Sequence, residues 1–261
     1  MNEGWKYIIP VAVGVFVLAL WQWLVRHYQV PVFVLPVPSD IAVAFVQNFA
    51  DLMAAAWTTL RIVIFAFALA LLSGVALAIL FSQSRIVELA LYPYAVILQV
   101  TPVVAIAPLI VIWVQYEHID LALLILAWIV AFFPILANTT IGLRSADRNL
   151  IDLLRLYGAS RWRILSRVQL PSALPYLLGA MKISGGLALI GAIVAEFAAG
   201  TGTDTGIGWT IIEAGRNLHI ATMFAALALL AIMGVAIFFA LSTLEWVLLH
   251  RWHESALAKQ T

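Results

Sequence analysis

The segment Ser145–Ser172, SADRNLIDLLRLYGASRWRILSRVQLPS, decides how this chain is to be read. It is the most polar stretch of a strongly apolar sequence. Before Gly158, Leu150, Ile151, Leu153, Leu154 and Leu156 interleave with Asp152 and Arg155; after it, Trp162, Ile164, Leu165 and Val168 interleave with Arg161, Arg163 and Arg167. Apolar residues recurring at three and four positions mark one face of a helix, so each half predicts a short amphipathic helix. Glycine reaches positive φ at no steric cost, and between two such patterns it permits the chain to reverse. Pro171 predicts a stop before the next element. The expected product is a basic helical hairpin. By composition alone it suits a positive-inside loop resting on lipid headgroups.

Outward from the hairpin lie two long apolar runs, Leu121–Leu143 and Leu174–Ala199, and beyond them Ile8–Val25, Ile62–Phe81, Ile86–Val114 and Ala221–Leu249. A bilayer crossing needs about 20 apolar residues. Backbone groups in lipid must be satisfied within their own segment. The runs therefore predict an all-α integral membrane protein with six spans. Composition agrees: the 261 residues are 64% hydrophobic and 10% charged, with mean hydropathy +1.05, against about 45–50% apolar and about 25% charged in soluble domains. An ordinary soluble enzyme and a disordered chain are both excluded. The first run is long for a signal-peptide core and no small-x-small cleavage site follows it, so it reads as a retained span.

A net charge of +1 offers no bulk attraction to nucleic acid. Cysteine is absent, so there is no disulfide and no thiolate metal site. His27, His118, His219, His250 and His253 form no HExxH spacing and read as polar ends of spans. No catalytic constellation and no metal site follow from the sequence.

Positive charge sets the orientation. With a cytoplasmic N-terminus, the inner segments hold Lys6, Arg85, six arginines from Arg144 to Arg167, Arg251 and Lys259, and the outer ones only Arg26, Arg61 and Arg216: ten against three. Both termini are expected in the cytoplasm. Outside, Leu35-Pro36-Val37-Pro38 should be extended. Ser39 or Asp40 should cap a helix that carries Ile41, Phe45, Phe49 and Leu52 on one face. The expected partition is residues 1–56 (first span and outer segment), 57–250 (core, with the hairpin at 145–172) and 251–261 (tail).

Lys182 and Glu196 stand within apolar helix, where charge is expensive. They share a helical face but lie about 21 Å apart along it, too far to pair. Lys182 reads as a snorkelling or interface residue; Glu196 as an outer-gate residue or an exposed carboxylate. Pro102 and Pro108 interrupt the third run. Either Gln99, Thr101 and Pro102 border a pathway, or they mark a plain kink. Asn138, Thr139 and Thr140 suit interhelical hydrogen bonding, with pore lining as the other reading. Gly179, Gly185, Gly186 and Gly191 suggest a dimer seam or a close helix crossing. The tryptophans mostly flank the spans, as interfacial anchors do.

The hairpin resembles the coupling loop of importer permeases of the ATP-binding-cassette (ABC) class, patterned E-A-A, three residues, G, nine residues, I-x-L-P. Asp152-Leu153-Leu154, Gly158 and Val168-Gln169-Leu170-Pro171 fit that spacing without a gap. The departures are Asp for Glu, Leu-Leu for Ala-Ala and Val for Ile. Leu35–Pro38, Gln99–Pro102 through Ala107-Pro108-Leu109 to Trp113, Asn138–Gly142, and Ala195-Glu196 with Gly206-Ile207-Gly208 are similar to the nitrate, sulfonate, taurine and bicarbonate branch, with its pyrimidine-precursor and riboflavin relatives.

The resemblance implies a six-helix type I ABC importer fold and a coupling role for Asp152, Arg155, Gly158, Ala159, Ser160, Arg161, Leu170 and Pro171. It places Gln99, Thr101, Pro102, Asn138 and Glu196 on the translocation path. The implied partners are two cytoplasmic ABC ATPase subunits, a second permease chain (a homodimer by the default of symmetry), a periplasmic or lipid-anchored binding protein and membrane lipid. The setting is the bacterial inner membrane. No G-x-x-x-x-G-K-[ST] run is present, so ATP and Mg belong to the ATPase subunits and no cofactor is expected on this chain. The substrate is left between a small anion and an uncharged heterocycle. The competing reading, an ion-coupled secondary transporter built on Lys182 or Glu196, leaves the hairpin unexplained.

Overall fold

A computed structural model of the chain describes residues 5–199 and 206–250. The tail 251–261, with Arg251, Trp252, His253 and Lys259, lies outside the described residues. In order the helices are α1 (Trp5–His27), α2 (Pro38–Gln47), α3 (Phe49–Gln83), α4 (Arg85–Val100), α5 (Val103–Val114), α6 (Ile119–Arg144), α7 (Arg148–Leu156), α8 (Arg161–Ile164), α9 (Leu170–Ala199), α10 (Ile207–Arg216) and α11 (Ile220–Leu249). A 3-10 turn, Tyr116–His118, precedes α6, and a π-helical turn, Leu165–Gln169, precedes α9. Among the described residues five helical segments are long and apolar enough to cross a membrane, and the bent pair α4–α5, counted as one broken span, makes six. The chain divides into two compact units, Met1–Thr58 with Asp204–Ile232, and Thr59–Thr203 with Met233–Thr261.

In the first unit α1 is apolar on all sides and almost wholly exposed, as suits a helix facing lipid. The expected cap at Ser39 or Asp40 is not there. Helix α2 starts earlier, on Pro38 after the extended Val37, because proline at the first helical position has no amide to lose. Ser39 instead bonds α1: its amide donates to Gln22 Oε1 (3.1 Å) and its hydroxyl accepts from Gln22 Nε2 (3.1 Å). Asn48 closes α2, its Nδ2 donating to the Ala44 carbonyl at 2.8 Å. Phe49 and Leu52 therefore sit on α3, and the single amphipathic face expected through them is split between two helices.

The second unit is built on the antiparallel pair α6 and α9. Small residues let their backbones approach: a Cβ on Gly142 would stand 2.8 Å from Ala173 Cα, and one on Gly191 2.9 Å from Ala127 Cα. Between helices in lipid this close packing replaces the hydrophobic driving force of water. Gly185 is crowded by Leu241 of α11, whereas Gly179 and Gly186 have nothing within 4 Å. The expected glycine crossing is thus real at Gly191 and Gly185 only. Helix α5 packs on both α6 and α9.

Two expectations change here. The third apolar run is not one continuous helix but two helices meeting at 102°. Thr101 and Pro102 are both extended at the break (ψ 123° and 109°), since a residue before proline avoids the helical region and proline donates no amide. Pro171 does not stop a helix. The chain runs helically from Arg161 to Ala199, and the π turn inserts its extra residue just ahead of the proline, where the wider coil takes up the lost amide and the ring clash.

Candidate functional site

The hairpin is largely exposed between its two packed roots. Asp147 opens α7, its Oδ1 accepting from the Asn149 amide at 2.8 Å. At the other end Gly158 adopts φ +73°. Its amide donates to the Arg155 carbonyl (2.9 Å) and the Ala159 amide to the Leu154 carbonyl (2.9 Å). This paired closure, with glycine in the left-handed position, ends the helix and satisfies its last carbonyls. Ser160 then caps α8, its Oγ accepting from the Arg163 amide at 3.3 Å. Every turn of the reversal is thus encoded between Asp147 and Arg163.

Helix α7 buries no residue. Leu156, Tyr157 and Trp162 are 86%, 80% and 70% exposed at the tip. Only the roots are packed: Leu143 and Ala146 on one side, Ile164 and Leu165 on the other. Two polar clefts flank α7. One, about 580 Å³, is lined by Ser82, Gln83, Arg155, Ala159 and Arg161; the other, about 600 Å³, by Leu143, Arg144, Arg148 and Asp152. Asp152 pairs with Arg155 at 3.0 Å on the open surface, a contact worth little in itself. An apolar tip ringed by arginines, on a base held at two points, has the anatomy of an interface knob. Leu170 and Pro171 are half-buried where the hairpin joins α9.

The other candidate residues are not gathered at one point. Gln99, Thr101 and Pro102 lie together at the α4–α5 break. Asn138 is on α6 and donates to the Pro134 carbonyl of its own helix (2.8 Å); Thr140 likewise bonds Leu136 (2.7 Å). Neither of these bonds joins two helices, because the nearest carbonyl is one turn back. The crossings at Gly142–Ala173 and Gly191–Ala127 set the register of α6 against α9. By that register Asn138 and Glu196 are separated by about 25 Å along the helix axis. They mark a line along the unit, not a pocket.

Three charges within the apolar helices, Glu88, Lys182 and Glu196, each have a partner. Glu196 is 4% exposed and accepts from Thr59 Oγ1 at 2.7 Å; the exposed-carboxylate reading is wrong. Lys182 donates to Glu245 Oε2 of α11 at 2.6 Å. Its charge is answered from a second helix 63 residues on, and snorkelling is not needed. Glu88 is buried and accepts from Arg85 (2.8 Å) and from Arg144. Glu245 and Thr59 were not singled out in the sequence, and Glu88 stood out only as an interruption of the third apolar run. For Glu245 a signal existed, a lone acid in an apolar run that also had to answer Lys182.

A membrane bundle with a projecting, glycine-turned basic hairpin is matched by one family model. Residues 68–248 fit the binding-protein-dependent transport system inner membrane component. The chain belongs to this family. It is the permease subunit of an ABC importer, a multi-pass membrane protein and not an enzyme, whose ATPase is a separate subunit. Such permeases work with an ATPase and a substrate-binding protein. Among relatives, the chain is 34% identical to the riboflavin transport system permease protein RibX of Chloroflexus aurantiacus, over 95% of this chain and 90% of that protein. It is 32% identical to the putative aliphatic sulfonates transport permease protein SsuC of Bacillus subtilis, over 88% and 82% respectively. The fold is that of the methionine ABC transporter MetNI in an inward-facing form, with TM-score 0.63, 20% identity, and coverage of 76% of this permease and 96% of the matched chain. The six-helix type I importer fold expected from the sequence is the fold found.

Proposed function

We propose that this permease carries a small organic solute of the vitamin-precursor or sulfonate kind, delivered by a periplasmic or lipid-anchored binding protein. It works as a homodimer in the bacterial inner membrane, with both termini and the hairpin in the cytoplasm. Two ATPase subunits that bind ATP and Mg grip the two hairpins. Relatives named for riboflavin and for aliphatic sulfonates support the solute class. The ten-to-three bias of basic residues supports the orientation.

The observation that carries the coupling role is the hairpin's build. Leu156, Tyr157 and Trp162 stand out in the open beyond a rigid glycine turn, where burial in an apolar groove of a partner stabilises the complex. Asp152, Arg155, Gly158, Ala159, Ser160 and Arg161 form the contact side of the knob, and Leu170 and Pro171 join it to α9. Gln99, Thr101 and Pro102 border the path at the α4–α5 break, with Asn138 and Glu196 along its length. The ion-coupled alternative loses one of its two charges, since Lys182 is neutralised by Glu245.

Co-expression of the chain with its partner ATPase tests this reading. The two should co-purify in detergent, and Trp162→Ala with Leu156→Ala should abolish the association while leaving the membrane yield unchanged. An ATPase that stays bound to the double variant removes the hairpin from the interface.

A further inference from the structure

The buried carboxylate Glu88 is absorbed by none of the roles above. It lies in the first turn of α4, after the Ser84 cap whose Oγ accepts from the Val87 amide. Its Oε2 accepts from Arg85 Nη1 and from Arg144 Nη2. Arg144 is the last residue of α6, directly before the hairpin. The far end of α4, 12 residues on, is Val100 at the 102° break. One buried oxygen therefore fastens the root of the hairpin to the helix that ends at Thr101 and Pro102.

The surroundings make this joint important. Because α7 buries nothing and has a cleft on each side, a push on the hairpin can enter the bundle only through its roots. The second root, Ile164 and Leu165, leads straight into α9. The first leads along α6 and, through Arg144 and Glu88, sideways into α4. Helix α4 makes fewer contacts with α6 than α9 does, and is the element a polar tether must hold. The Glu88 carboxylate is 10% exposed and accepts from two guanidiniums that reach it from the surface, and such charge-assisted bonds to a largely buried acceptor are more directional than an open surface pair.

Resting on the coupling reading above, we infer that Glu88 is a positioning residue. It locks α4 to the hairpin root so that displacement of the hairpin by the ATPase swings α4 and moves the Gln99–Pro102 break. Glu88 touches no substrate and acts through Arg144.

The absence of cysteine makes a direct test possible. Nitroxide pairs are placed on exposed positions, Asn149→Cys with Ile97→Cys (hairpin to α4) and Asn149→Cys with Leu72→Cys (hairpin to α3). The chain is labelled before assembly with its ATPase, diluted with unlabelled chain, and measured in nanodiscs with and without ATP and vanadate. In the native joint the hairpin–α3 distance changes on trapping while the hairpin–α4 distance keeps one narrow distribution. With Glu88→Gln the hairpin–α4 distance should broaden and shift by more than about 3 Å on trapping, and the swap of Glu88→Arg with Arg144→Glu should restore it. Should Glu88→Gln fail to assemble, Arg144→Gln carries the same test. A hairpin–α4 distance that stays fixed in these variants overturns the joint and leaves the coupling reading standing. A hairpin–α3 distance that ignores trapping in the native complex overturns the coupling reading itself.

Discussion

Four glycines of the spanning helices offer an internally controlled test of the packing. Gly142 and Gly191 sit where α6 meets α9; Gly179 and Gly186 sit on the same α9 with open space before them. Replacing each by alanine adds the same methyl group to the same kind of helix. At Gly142 the new Cβ would lie 2.8 Å from Ala173 Cα, 2.9 Å from Tyr176 Cβ and 3.1 Å from Ala173 Cβ. Carbon atoms in contact prefer roughly 3.5–4.0 Å, so the two backbones must part by about 1 Å. Because the obstacle is the Cα of α9, no side-chain rotation relieves it. Overpacking of this kind costs about 1–3 kcal/mol, while alanine gains about 1 kcal/mol over glycine in helix propensity. At Gly179 and Gly186 only the gain remains. The propensity term cancels in the comparison, leaving a gap of about 2 kcal/mol between the two classes. At about 2–4 °C per kcal/mol this is a difference in Tm of about 4–8 °C. Thermal unfolding of the detergent-purified chain, followed by tryptophan fluorescence, measures it. Equal midpoints for Gly142→Ala and Gly179→Ala would refute the close crossing and the α6–α9 register drawn from it.

Other outcomes follow from single contacts. Glu245→Ala should lower stability by about 1–3 kcal/mol, a buried-pair loss reduced because both side chains keep 22% exposure. Adding Lys182→Met should recover most of that midpoint, and no recovery would mean the pair is not the cause. Gly158→Pro removes both the left-handed φ and the amide that donates to Arg155. This variant and, separately, Asp152→Arg should each leave insertion intact and uncouple ATP hydrolysis from uptake; tightly coupled uptake in both variants counts against the hairpin's role. Topology is read by cysteines at the exposed Ser160 and Asn217. An impermeant maleimide added to whole cells should label Asn217 only, and labelling of Ser160 would invert the orientation. Thr203, another natural place for such a label, lies outside the described residues.

Local features of this chain were legible because their causes are local. The apolar runs had to be helices, since no other structure satisfies a backbone in lipid at that length. The hairpin was legible because its turn is written in consecutive residues: Asp147, Gly158 and Ser160 all act within three residues of themselves along the chain. The same proximity rule explains the misreadings. Ser39 looked like a cap because a serine before a helical run usually is one, yet Gln22, 17 residues away, claimed it. Pro171 looked like a stop, and a single π turn let the helix pass it.

What the amino-acid order determined by itself was the class of protein, the place of its spans and the site of its one basic reversal, all consequences of hydrophobic length and of glycine's freedom over a few bonds. What the tertiary structure alone decided was which proline breaks a span, which glycines lie at a crossing and which charges answer one another. Glu88 finds Arg144 at a separation of 56 residues, Lys182 finds Glu245 at 63 and Glu196 finds Thr59 at 137. Those choices depend on the register of one helix against another. Register is fixed by steric fit between whole faces, a quantity that no single segment of the chain contains.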